Sequence, residues 1–139
     1  MRVVIDTNFL ISALFSESSP PGQRIALWRQ GRLQLLTSAE QLDEVRRVTR
    51  YPRIRERLSP ALAGRSINQM ADLAVVIKGA AMVSSSPDPN DDYLLALAAV
   101  GKAAFLITGD KRDLLALSRF EETRILTARE FRDLHIRRP

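Results

Sequence analysis

The chain alternates short β-branched apolar runs with longer stretches of helical periodicity. Residues 2–5 (Arg-Val-Val-Ile) are too short for a helix and stop at Asp-Thr-Asn, which predicts a buried strand. A helix over 8–14 follows, then a loop from Ser16 to Gly22 carrying Pro20-Pro21-Gly22, and a second helix over 23–30 ending at Gly31. Leu33 to Thr37 reads as the second strand, with Ser38 as N-cap of a helix that Pro52 limits near Thr49. Ser59 and Pro60 start a further helix, expected to run to about Val76. Met82 and Val83 predict a short third strand before the loop 84–90. A helix over 91–100 is ended by Gly101, and Ala103 to Thr108 makes the fourth strand. A helix over 111–118, a fifth strand over 123–126 and a last helix, capped by Thr127 and running to about Leu134, complete the pattern. Strands alternating with helices predict an α/β fold: a largely parallel sheet of about five strands with helices on both faces.

Composition narrows the chemistry. At 139 residues one domain over 1–139 is expected, and 45% apolar content can build a core without staples. There is no Cys, which removes thiolate catalysis and Cys-based zinc or iron–sulfur sites, and the lone His135 removes any mechanism needing two imidazoles from one chain. Asp6 and Asn8 interrupt the N-terminal apolar stretch, no cleavage site follows, and no run of 18 apolar residues occurs. A soluble, cytoplasmic protein without a membrane partner is expected. Lys and Arg number 21 against 16 acids, a net charge of +5, and six arginines fall between Arg46 and Arg57 against the single acid Glu56. Arginine forks match phosphate oxygens, so Arg46, Arg47 and Arg50 are candidates for binding RNA, with an ordinary solvated face as the competing reading.

In open parallel sheets ligands gather beyond the carboxyl ends of the strands, where strand order reverses. Asp6 directly follows the first strand, Asp110 lies two residues beyond the fourth, and Asp91 and Asp92 begin the helix that leads into it. Glu44 flanks the apolar stripe of Leu42, Val45 and Val48. Each has a plainer role: Asp6 and Asp91 as helix caps, Asp110 in a turn, and Glu44 paired with Arg47. If the first and fourth strands are neighbours, the acids could converge. Two carboxylates about 4 Å apart repel by roughly 4 kcal/mol at an effective dielectric near 20, so such a group must take up protons or hold a cation. An all-oxygen set selects a hard ion, Mg²⁺ or Mn²⁺, which can activate water and offset phosphate charge.

The residues Val-Ile-Asp6-Thr7-Asn8, Thr37-Ser38 with Glu44, Asp88-Pro89-Asn90-Asp91-Asp92-Tyr-Leu-Leu-Ala and Leu-Ile-Thr108-Gly109-Asp110 with Asp113-Leu114-Leu115 together resemble the PIN-domain family, whose VapC-type members are toxin ribonucleases. The resemblance covers nearly the whole chain. It implies a three-layer α/β/α sandwich and metal-dependent cleavage of RNA phosphodiester bonds. It places the catalytic, metal-holding set on Asp6, Glu44, Asp92 and Asp110, and prefers Asp92 to Asp91 because Asp92-Tyr-Leu-Leu-Ala fits the family pattern. Asn8 and Thr108 match positions that orient the acids or the attacking water, and Asp91 stands beside them. Family members often form homodimers and bind a small antitoxin. The middle segment Tyr51 to Val83 is longer than the compact toxins carry, so nuclease chemistry is implied more directly than toxicity.

Two further function classes compete. A Mg²⁺-dependent phosphohydrolase or phosphoacceptor would want an acid two residues after the nucleophilic Asp, but Asn8 stands there. A non-catalytic module binding RNA or protein on the same fold would bind without metal or turnover. Neither GxGxxG nor a P-loop occurs, which disfavours a nucleotide-binding Rossmann enzyme. Trp28 and the stripe Leu94, Leu95, Leu97 and Ala98 read as core.

Overall fold

Arg2–Ile5 forms β1, and its successive apolar side chains serve opposite faces of one sheet. The computed structural model describes residues 1–15, 34–56, 59–78, 92–109, 112–127 and 129–131. After β1 come α1 (Thr7–Phe15), β2 (Gln34–Thr37), α2 (Ala39–Val48), α3 (Pro52–Arg55), α4 (Pro60–Leu73) and β3 (Val75–Val76). The second half holds α5 (Asp92–Gly101), β4 (Phe105–Thr108), α6 (Arg112–Leu117), β5 (Arg119–Phe120) and β6 (Thr123–Thr127). The described strands form one six-stranded sheet in the order β3-β2-β1-β4-β6-β5, parallel except for the β5–β6 pair.

Val3 and Ile5 pack with Phe9, Leu10 and Ile11 of α1, Leu42 and Val45 of α2, and Ile67 of α4. Val4 faces the other way, onto Leu94, Leu95, Leu97 and Ala98 of α5 and Leu114 of α6. The parallel register repeats this division: Leu35, beside Val3, joins the first cluster, and Leu36, beside Val4, joins the second. The result is a three-layer α/β/α sandwich, as the alternation of elements predicts.

Two expectations are corrected. The helix after Pro60 stops at Leu73, and Val75–Val76 becomes the edge strand β3. Apolar periodicity cannot separate these states, and the open edge of β2 decides, with Ile77 N–H donating to the Thr37 carbonyl at 2.8 Å. The sheet also gains β5, an antiparallel strand turned at Glu121, whose φ is 52°. As expected α5 ends at Gly101, and Lys102 after it takes the left-handed position at φ 54°. The bonds from Lys102 N–H to Ala99 O (3.3 Å) and from Ala103 N–H to Ala98 O (2.9 Å) close a Schellman motif. Ser38 caps α2 as expected, its hydroxyl accepting from Gln41 N–H. Thr127 and Glu130 form a reciprocal capping box. The expected helix over 23–30 with Trp28, the strand at Met82–Val83, the loop 84–90 with Asp88, the end of the last helix and His135 lie outside the described residues.

Candidate active site at the β1–β4 switch point

β1 has β2 on one side and β4 on the other, so strand order reverses between β1 and β4. Asp6 follows β1 at this point. Its main-chain N–H extends the ladder to the Ile107 carbonyl (3.0 Å), and its carbonyl accepts from Leu10 to begin α1. The carboxylate is 1% exposed, with Oδ1 accepting from Phe9 N–H at 2.8 Å and Oδ2 from Gly109 N–H at 3.1 Å. Asp6 therefore caps α1 and also ties β1 to the end of β4. Each oxygen keeps acceptor capacity beyond the bond it makes.

A second group of side chains lies beside it. Tyr93 of α5 donates its hydroxyl to Glu44 Oε2 and lies 2.9 Å from Thr7 Oγ1. Burial pushes the Tyr93 phenol well above its ordinary range, the hydrogen bond to Glu44 and the nearby charges of Glu44 and Asp6 raise it further, and the Thr7 bond opposes them. Tyr93 thus serves as a neutral donor that joins α1, α2 and α5. Gln41, fully buried, braces the strands below: its Nε2 donates to the Ile5 carbonyl (2.6 Å), and its Oε1 accepts from Thr37 Oγ1 (2.7 Å). Sequence reading singled out neither residue. The only signal for Tyr93 was its place directly after Asp92, and an isolated Gln on a helix carries none.

Asp6 and Glu44 are thereby connected through the Tyr93–Thr7 pair, at the ends of β1 and on α2. Asp92 opens α5, one residue before Tyr93. Its side chain, together with Asp91, Asp110 and the side chain of Asp113, lies outside the described residues. Asn8 is engaged in a contact within the protein. Thr108, at the carboxyl end of β4, is fully buried, and its Oγ1 has no hydrogen-bond partner among the described residues. Such an orphan costs about 1–3 kcal/mol unless another group or water satisfies it. Among the described residues, no three Asp, Glu, His or Cys side chains group closely enough to hold a metal ion.

The arginines divide between two places. Arg46 of α2 and Arg50, two residues beyond its end, line a cleft of about 320 Å³ with residues of α3 and α4, and Arg46 also pairs with Asp43 at 3.2 Å. Arg47 is not among the residues lining it; it stands three positions from Glu44, on the other flank of α2. Among the described residues no helix is long and apolar enough to cross a membrane.

The parallel sandwich with Asp6 buried at its switch point agrees with what comparison with known families finds. The PIN-domain family model matches residues 2–112, most of the chain, and the chain belongs to that family. No curated protein and no solved structure matches it significantly.

Proposed function

We propose that this chain is a metal-dependent endoribonuclease of the PIN type, which hydrolyses RNA phosphodiester bonds at the β1–β4 switch point. The observation that carries the reading is Asp6, held almost fully buried between the end of β1 and Gly109 of a family-matched fold. Chain connectivity keeps Asp92 next to Tyr93 and Asp110 next to Gly109, both of which bond to the Asp6–Glu44 assembly. Thr108 Oγ1, at the same strand ends, has no hydrogen-bond partner among the described residues and could accept or donate one further bond. Asp6, Glu44, Asp92 and Asp110 would hold Mg²⁺ or Mn²⁺, which when bound supplies charge neutralisation and an acidified water. Tyr93 fixes Glu44, and Asn8, Thr108 and Asp91 orient the acids. A homodimer and a small antitoxin partner belong to the same proposal, and toxicity follows only if the cleavage is unrestrained in a cell.

The second reading, a PIN-like module that binds RNA or protein without cutting, is favoured by a specific observation. Both Asp6 oxygens already serve main-chain N–H groups, so this carboxylate has a structural role that needs no metal. One experiment separates the two. Purified protein is incubated with single-stranded and structured RNA in Mg²⁺, Mn²⁺ or EDTA, alongside Asp6→Asn, Glu44→Gln and Asp92→Asn. Asn at position 6 can still cap α1 but sets an N–H₂ donor against Gly109 N–H, costing about 1–3 kcal/mol, so circular dichroism must accompany that variant. Glu44→Gln keeps an acceptor for Tyr93. The nuclease reading expects cleavage that needs metal and falls by a factor on the order of 100 or more in each folded variant. RNA binding without turnover under every condition selects the non-catalytic module.

A further inference from the structure

The cleft between α2 and α4 presents two chemistries. Arg46, Arg50 and Arg55 are exposed around it, Pro60 and Gly64 are exposed along its α4 wall, and the buried Ala63 and Ile67 close its floor. Arg46 spends part of its charge on Asp43, but neither Arg50 nor Arg55 is ion-paired among the described residues. The volume of about 320 Å³ lies at the small end of ligand sites, which run from roughly 300 to 1,000 Å³.

Gly64 gives an independent sign that something enters. It sits inside α4, where glycine weakens a helix by about 0.5–1 kcal/mol relative to alanine. A Cβ built there meets nothing within 4 Å, so internal packing does not require a glycine. The missing side chain leaves the cleft open.

We propose that this cleft is a second nucleic-acid site, which holds one nucleotide of a single-stranded RNA with its phosphate on Arg50 and Arg55 and its base against Pro60 and the open backbone at Gly64. Three guanidinium groups favour a polyanion, and their planes can stack on a base. A duplex keeps its bases stacked inside, so a pocket for one unit selects single strands. Arg46 and Arg50 lie across α2 from Glu44, placing this site about one helix width, roughly 10–12 Å, from the acidic site. The cleft would anchor RNA a few nucleotides from the scissile bond. The inference rests on RNA being the partner proposed above.

The test is fluorescence anisotropy with a labelled RNA decanucleotide in EDTA, so that binding is read without cleavage. Arg50→Ala and Arg55→Ala are each expected to weaken binding on the order of tenfold and to lower the salt slope by about 0.7 per lost phosphate contact. Gly64→Leu is expected to weaken binding comparably, although it changes no charge, while the charge-matched Arg124→Ala on β6 has little effect. Wild-type affinity in Gly64→Leu overturns the proposal, because the arginines would then act only as a diffuse field. It is overturned equally if an acidic decapeptide displaces the RNA and itself loses affinity in Gly64→Leu, which makes the cleft a protein dock. Cleft-dependent binding by a chain that never cuts RNA refutes the nuclease and leaves the cleft standing. Metal-dependent cleavage with Gly64→Leu binding normally does the reverse.

Discussion

Replacing Gly101 by alanine sets two effects of opposite sign against each other. Glycine in a helix interior costs about 0.5–1 kcal/mol relative to alanine and less at its last residue, so propensity alone predicts a slightly stabler protein. The structure predicts the reverse. A Cβ at Gly101 would lie 2.6 Å from Leu36 Cδ1 and 3.3 Å from Ile77 Cγ1. Carbon atoms settle at about 3.5–4.0 Å, so Leu36 would have to withdraw by roughly 1 Å. Leu36 is fully buried beneath α5 and cannot swing into solvent. Overpacking of this kind costs about 1–3 kcal/mol, leaving Gly101→Ala less stable by about 0.5–2 kcal/mol. The next residue supplies the contrast. Lys102 holds φ 54°, a conformation that strains an L side chain and suits glycine. Lys102→Gly should therefore stabilise by about 0.5–1 kcal/mol, after the greater freedom of glycine in the unfolded chain is subtracted. Urea unfolding followed by circular dichroism should order the midpoints Lys102→Gly above wild type above Gly101→Ala, at unchanged slope. In a Leu36→Ala background the Gly101→Ala penalty should vanish or change sign. A stabilising Gly101→Ala, or an equal penalty in both backgrounds, would refute the packing argument.

The polar side chains of the site yield two more predictions. Tyr93→Phe removes the donor to Glu44 and the bond to Thr7, and should cost about 1–3 kcal/mol near pH 8. Because the folded state holds the Tyr93 proton more tightly, the unfolded chain releases it first as pH rises through about 10. Wild type then loses a stabilisation that Tyr93→Phe never had, and the gap in urea midpoints should narrow between pH 8 and 10.5; a constant gap contradicts the assignment. Gln41→Met keeps the bulk but strands the Ile5 carbonyl and the Thr37 hydroxyl, so its thermal midpoint should fall by an amount equivalent to about 2–4 kcal/mol. A change within 0.5 kcal/mol would show that water replaces the amide.

The period of the apolar residues by itself determined the layers of this protein. The short β-branched run Val3, Val4 and Ile5, stopped by Asp-Thr-Asn, read as a buried strand, and the apolar stripes around Leu42 and Leu94 read as helices covering a sheet, because local burial patterns repeat with the geometry of each element. It also placed Asp6 at a strand end, since the switch from a β-branched run to polar residues is local. Which strands are neighbours was not local. Pairing of β1 with β4, and with it the position of the Asp6 carboxylate against Gly109, joins residues 103 positions apart. The same holds for Val75–Val76, whose state was decided by the unfilled edge of β2 rather than by its own propensity. It holds for Gly101, the last residue of α5, whose lack of a side chain is required by Leu36 rather than by a left-handed turn, which falls on Lys102. Tyr93 and Gln41 left no periodic trace, because a single polar side chain acquires its meaning only from the partners that folding brings within hydrogen-bonding distance.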